Sequence, residues 1–189
     1  MKKLLITGFE PFDGEGINPS WEAVKLLPDT IGEYVLCKLN IPTVYAAAGQ
    51  MVLDEAAKMG ADAIICVGQA GGRDAVTPER IAVNIRDARI ADNAGVLYRG
   101  DRIDPTGPAA YFSTLPVESI SQAIRNAGIP SSVSNTAGCY VCNDVLYTVL
   151  HRACVPACFI HVPYLPQQGT PNMELATIIR ALTAAIESI

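Results

Sequence analysis

Short runs of consecutive apolar residues alternate along this chain with segments whose apolar residues recur every three or four positions. The first pattern marks buried strands and the second amphipathic helices. Lys3 to Thr7 reads as a buried strand that stops at Gly8. Asn18-Pro19-Ser20 then supplies an N-cap with proline at the first helical position, opening a helix through Leu27. Tyr34 to Ile41 is a second strand, and Val44 to Met59 a helix closed by Gly60 just past its C-cap. Ala63 to Val67 is a wholly apolar third strand, ending at Gly68. Arg80 to Ile90 alternates as a strand does, with Ile81, Val83 and Ile85 on one side. Pro116 to Ala127 is helical and closed by Gly128, and Ser132 to Asn135 is a short strand. A helix over Cys139 to Arg152, a strand over Cys158 to Val162 and an amphipathic helix over Pro171 to Ser188 complete the chain.

Strands separated by helices indicate an α/β fold, a mixed, mostly parallel twisted sheet with helices on both faces. The stretch from Gly71 to Pro108 lacks helical periodicity and reads as an antiparallel excursion from that sheet. No linker or repeat divides the 189 residues, so residues 1–189 are expected to form a single domain. Half the residues are hydrophobic and 17% are charged, which excludes disorder as the overall state. With 14 basic against 19 acidic residues and no basic run, nucleic acid and anionic membrane are poor partners. The apolar surplus instead points to a surface covered by a second subunit. Met1-Lys2-Lys3 opens as a signal peptide does, but its apolar run ends at Thr7-Gly8 and Glu10 and Asp13 follow, leaving no h-region. No apolar stretch is long enough to span a bilayer. Six cysteines are too sparse for a disulfide scaffold, so the expectation is a cytoplasmic protein with reduced thiols.

In open α/β sheets, ligands bind beyond the carboxyl ends of the strands. Four such ends carry unusual sequence: Gly8 to Gly14, with two aromatics and two carboxylates; Gly68 to Arg73; Thr136-Ala137-Gly138, leading to Cys142; and His161 to Pro166. Together they predict one site at one rim. A nucleotide site fails on context. No helix opens after Gly68 to Gly72, and Glu10, Asp13 and Glu15 would repel a phosphate at the first loop.

Cys139-x-x-Cys142 and Cys154-x-x-x-Cys158 have zinc-like spacing, but the residues between them read as one helix. A helix of ~12 residues holds its ends ~18 Å apart, and one zinc needs its sulfurs within ~2.3 Å. No metal site is expected. Cys37, Cys66, Cys154 and Cys158 read as small buried hydrophobes. Cys139 and Cys142 stand at a helix start, where a thiol pKa is lowered. Packed residues, a redox couple and a single nucleophile all remain open there. His151 lies late in a helix, where a cation suits the dipole. His161 faces away from Ile160 and Val162 at the rim of Cys142, and a base beside a helix-start thiol is the logic of cysteine hydrolases. Such a base needs an orienting partner, and Glu79 is the carboxylate best placed to supply one.

At these residues the chain resembles the pyroglutamyl-peptidase I (pyrrolidone carboxyl peptidase) family of cysteine peptidases. The resemblance runs nearly end to end. It rests on Gly8-Phe9-Glu10-Pro11-Phe12, Asn18-Pro19-Ser20, Gly68 to Arg73, Glu79 to Asn84, Asp87 to Ile90, Tyr111 to Pro116, Ser134 to Asn143 and His161 to Pro166. It implies a phosphorylase/hydrolase-like α/β fold and removal of N-terminal pyroglutamate from peptides through an acyl-enzyme, without a cofactor. It implies a homo-oligomer, dimer or tetramer. Cys142 would be the nucleophile, His161 the base and Glu79 its orienting partner. Phe9 and Phe12 would line the ring pocket near Gln69 and Val141, with Arg89 near the oxyanion. Two features depart from the family pattern: a cysteine at 139, and a short segment at Gln167-Gln168-Gly169-Thr170. The competing readings are a thiol redox protein using Cys139 and Cys142, and a small-molecule binding module.

Overall fold

The computed structural model describes residues 1–189. In chain order its elements are β1 (Lys2–Phe9), α1 (Pro19–Val24), β2 (Thr30–Ile31), β3 (Tyr34–Ile41), α2 (Ala47–Met59), β4 (Ala63–Gln69), β5 (Thr77–Glu79), β6 (Ile81–Val83), β7 (Arg86–Asp87), β8 (Arg99–Asp101), β9 (Ala110–Phe112), α3 (Val117–Asn126), α4 (Val141–Arg152), β10 (Ala157–Val162) and α5 (Leu175–Glu187). The central sheet runs β2-β3-β1-β4-β10-β5. Its four inner strands are parallel, and β2 and β5 close its edges antiparallel. The class is α/β with a mixed, mostly parallel sheet, as the alternation of patterns predicts.

The period-2 alternation of strand side chains sorts the core into two layers. Leu4, Ile6, Ile65, Val67, Ile160 and Val162 pack against α1, α3 and α5. Leu5, Ile64, Cys66 and Phe159 face the other way, against α2 and α4. His161 shares the parity of Phe159 and therefore points toward the α4 side, opposite Ile160 and Val162.

Several local signals hold. Asn18 caps α1 by accepting a hydrogen bond from the Ser20 N–H, with Pro19 in the first turn. Gly60 terminates α2 in the left-handed region at φ 63°. Other expectations change. The helices are shorter than the apolar periodicity suggests: α1 stops at Val24, α2 begins at Ala47 and α5 at Leu175. Ser132 to Asn135 is not a strand. It makes only one isolated bridge, Ser134 to Glu79, next to another from Ser131 to Val76. Arg80 to Ile90 is not one strand either, since β5 belongs to the central sheet while β6 pairs with β9 and β7 with β8. Within β6 it is Ala82 that is buried, with Ile81 and Val83 half-exposed. Cys154 is exposed rather than packed, whereas Cys66 and Cys158 are buried.

Candidate active site

Three strand ends and the loop before α4 converge on a cavity of about 390 Å³. Phe9 and Phe12 come from the end of β1, Gln69 from β4, His161 from β10 and Cys142 from the first turn of α4. Arg73 and Arg89 also line it. A second hollow of about 410 Å³, between α2 and α4 near His151, contains none of the expected site residues.

The Cys142 sulfur lies over the end of β4 because Gly68 has no side chain. A Cβ there would stand 3.0 Å from the sulfur and 2.6 Å from the Phe159 ring. Cys142 is the second residue of α4, whose N-cap Tyr140 makes no side-chain cap. The N–H groups of Val141 and Asn143 find no backbone acceptor, the first bond of the turn being Asp144 N–H to Tyr140 O, and the Cys142 N–H reaches its own sulfur. Unpaired donors at a helix start favour an anion near the sulfur.

His161 is held from behind. Its Nδ1 lies 2.7 Å from Glu79 Oε1. A carboxylate can only accept, so Nδ1 carries the hydrogen and Nε2 is left as a base. Glu79 is fully buried at the end of β5, which pairs antiparallel with β10 and sets Glu79 opposite Phe159 in the register. Its Oε1 also accepts from Arg73 Nη1 at 2.6 Å. Burial alone would push the Glu79 carboxyl up, but the hydrogen bond and charge of His161, then the hydrogen bonds from Ser134 and Arg73, outweigh it and hold the group below the usual carboxylate range. Burial lowers the His161 pKa more than Glu79 raises it.

The thiol departs from expectation. Its pKa is pushed up to about 12, first by burial and then by the negative charge of Glu79. The Arg73 guanidinium pulls the other way without reversing the shift. No hydrogen bond joins it to His161 in this structure, although both face the same cavity.

Of the residues expected at a ring pocket, Phe9, Phe12, Gln69 and Arg89 line this cavity and Val141 does not. Phe9 and Phe12 form its walls, and Tyr140 packs on Phe12 with ring centroids 5.8 Å apart. The Gln69 Oε1 accepts from Gln168 Nε2 at 2.9 Å, which turns the Gln69 amide N–H groups toward other partners. The short segment after the histidine thus helps orient a pocket residue. Arg89 is exposed at the mouth and makes no hydrogen bond or ion pair within the chain. Val141 does not line the cavity. Its side chain is fully buried in the α2/α4 core. Glu10 is a strut, accepting from the Thr43 N–H and from Asn93 Nδ2. Tyr140 and Arg73 escaped notice as individual residues, although both stand inside the motifs that carry the resemblance. No group of three or more His, Cys, Asp or Glu side chains is arranged to hold a metal.

The pyroglutamyl peptidase family model matches residues 2–189. The chain is 51% identical to the pyrrolidone-carboxylate peptidase of Levilactobacillus brevis over 99% of its own length and 97% of that protein. It is 48% identical to the pyrrolidone-carboxylate peptidase of Staphylococcus saprophyticus, over 99% of this chain and 92% of that one. Among solved structures, pyroglutamyl peptidase I of Bacillus amyloliquefaciens superposes with a TM-score of 0.95 at 42% identity, covering 100% of this chain and 96% of that one. The pyrrolidone carboxyl peptidase of Thermococcus litoralis also gives 0.95, at 36% identity, covering 100% and 93%.

Proposed function

The chain belongs to the pyroglutamyl peptidase family, and we propose that Cys142 is its nucleophile, His161 its general base and acid, and Glu79 the group that orients His161. The enzyme removes N-terminal pyroglutamate from peptides. One observation carries the assignment of roles: the Glu79–His161 pair and the Cys142 sulfur, with free N–H donors beside it, meet in a cavity walled by Phe9 and Phe12.

A pyroglutamyl group is a neutral lactam, so it offers no charge to pair. Phe9, Phe12 and Tyr140 bury its ring, and the Gln69 amide meets its polar edge. As the sulfur attacks the carbonyl that joins pyroglutamate to the next residue, His161 Nε2 takes the thiol proton. Glu79 stabilises the imidazolium that results. The carbonyl oxygen becomes an oxyanion held by the N–H groups at the start of α4, with Arg89 assisting. Losing one such donor typically costs about 2.7–4 kcal/mol of transition-state stabilisation. Collapse breaks the C–N bond, and His161 returns its proton to the departing amine. Water activated by His161 then hydrolyses the thioester and restores the thiol. No step calls on a metal or organic cofactor.

The same reading takes residues 1–189 as one α/β peptidase domain that works as a homo-oligomer, dimer or tetramer, in the cytoplasm. Exposed Leu26, Val35 and Phe112, the last 68% exposed, support the oligomer, and six unpaired cysteines support a reducing compartment. No helix is long and apolar enough to cross a membrane.

Release of free pyroglutamate from a pyroglutamyl amide tests the roles. Cys142→Ser is expected to lose at least 10³-fold in kcat, as removal of a nucleophile does. Wild-type turnover in that variant would refute the assignment.

A further inference from the structure

We propose that Arg73 is a positioning residue for this reaction, holding the Glu79 carboxylate in place for His161 and tying the Gln69 loop to the segment that leads into Cys142. The inference rests on the Cys142–His161–Glu79 reading above.

Arg73 stands in the loop between β4 and β5 and reaches three separate segments. Its Nη1 donates to Glu79 Oε1 at 2.6 Å and to Thr77 Oγ1 at 2.5 Å. Its Nη2 donates to the Thr136 carbonyl at 3.1 Å, six residues before Cys142 in the chain. The Glu79 oxygen that accepts from Arg73 is the same one that accepts from His161 Nδ1 at 2.7 Å. The other oxygen, Oε2, is buried without a partner. Beside His161 and the Ser134 hydroxyl, Arg73 is therefore the charged anchor that sets where this carboxylate points. Without it, a fully buried carboxylate would keep only neutral partners, with its charge uncompensated. A planar guanidinium suits the task because its fork can reach a carboxylate and a carbonyl in different segments at once.

A substrate-binding role fits less well. Arg73 lines the ring cavity, but both of its terminal nitrogens are already engaged, and the lactam brings no carboxylate for it to pair. Its influence on the chemistry runs through Glu79 and His161. The ionisable groups facing His161 are Glu79 from β5, Arg73 from the β4–β5 loop, Cys142 from α4, and Tyr140 and Arg89 across the cavity. Of these charges Glu79 favours the imidazolium and Arg73 opposes it. Removing the guanidinium while Glu79 stays ionised therefore raises the pH at which His161 titrates.

The test compares Arg73→Met and Arg73→Lys in a pyroglutamyl amide assay, with the two histidines titrated by NMR and His151 as the internal control. The expected result for Arg73→Met is a kcat lowered about 10- to 100-fold, with KM within about threefold of wild type. The His161 midpoint and the acid limb of kcat/KM should both move to higher pH, with His151 unmoved. Arg73→Lys keeps the charge but not the fork, so it should recover the pH profile and only part of kcat. Wild-type kcat in folded Arg73→Met overturns the proposal. So does a raised KM at unchanged kcat, which would make Arg73 a binding residue. A lowered Tm with the His161 midpoint unmoved also overturns it, as a merely structural role. If Arg73→Met does not fold, Arg73→Lys decides, and wild-type kcat there refutes the proposal. Glu79→Gln separates the two readings. Full activity in it sinks the triad and this inference together. Loss of activity there beside an intact Arg73→Met sinks this inference alone.

Discussion

Burial and the Glu79 charge push the Cys142 thiol up, and the Arg73 guanidinium pulls it down without reversing the shift. With the thiol pushed up to about 12 and His161 held below its ordinary value, the surroundings of both groups favour neutral thiol and neutral imidazole. Attack then requires proton transfer to Nε2 when the substrate arrives, rather than a standing thiolate–imidazolium pair. The sign of the pH dependence follows. The base must be unprotonated, and burial disfavours its protonated form, so activity survives as pH falls through the ordinary imidazole value of 6.5 and is lost only below it. The acid limb of kcat/KM for a pyroglutamyl amide should have its midpoint under 6.5. A midpoint above that value would contradict the resting state described here. The identities of these residues were legible in their motifs. Their protonation states were not, because desolvation depends on what packs around a group and not on its neighbours in the chain.

At the scale of elements, the first loop and α1 act as a unit. The Phe9 N–H donates to Ser20 Oγ, Ser20 Oγ donates to Asn18 Oδ1, and Asn18 Nδ2 donates to the Glu10 carbonyl. The cap of α1 thereby fixes the backbone that presents Phe9 to the cavity. Asn18→Ala should cost about 0.5–2 kcal/mol of stability, as loss of an N-cap does, measured by denaturant unfolding. It should also raise KM more than it lowers kcat, because it loosens a pocket wall and not the reacting groups. This cap could be read directly from Asn18-Pro19-Ser20, since capping is settled within a few residues. The Arg80 to Ile90 alternation misled because strand partners are remote. The Arg80 N–H goes to the Ser134 carbonyl, and the chain there leaves the central sheet for a separate pairing of Ile81 with Phe112. The same remoteness made Ser132 to Asn135 look like a strand, when only one isolated bridge forms there.

The whole molecule divides at the sheet, so neighbouring residues of β10 have different work. Ile160 is fully buried against α1, α3 and α5, while His161 faces α4 and the cavity. Ile160→Ala should lower stability by about 2–5 kcal/mol while kcat of the folded enzyme stays close to wild type. His161→Ala should also cost stability, because it strips the buried Glu79 carboxylate of a hydrogen bond, but unlike Ile160→Ala it should abolish kcat. Thermal unfolding and turnover of the two variants, measured side by side, check the division. A collapse of kcat in folded Ile160→Ala would mean that the two faces are not independent.

What the sequence determined by itself was local: the periodicities, the cap of α1, the glycine stop of α2, and the motifs holding Cys142, His161, Glu79, Phe9, Phe12 and Gln69. Each of these depends on residues within a turn or two, where backbone sterics and side-chain period act. Tertiary structure alone decided that Glu79 ends a strand paired with β10, that Val141 turns into the core, that Gln168 steers Gln69, and that Arg73 shares one carboxylate oxygen with His161. These are meetings between distant segments. They follow from how the parallel strands stack and which loops their ends bring together, and no period along the chain encodes them.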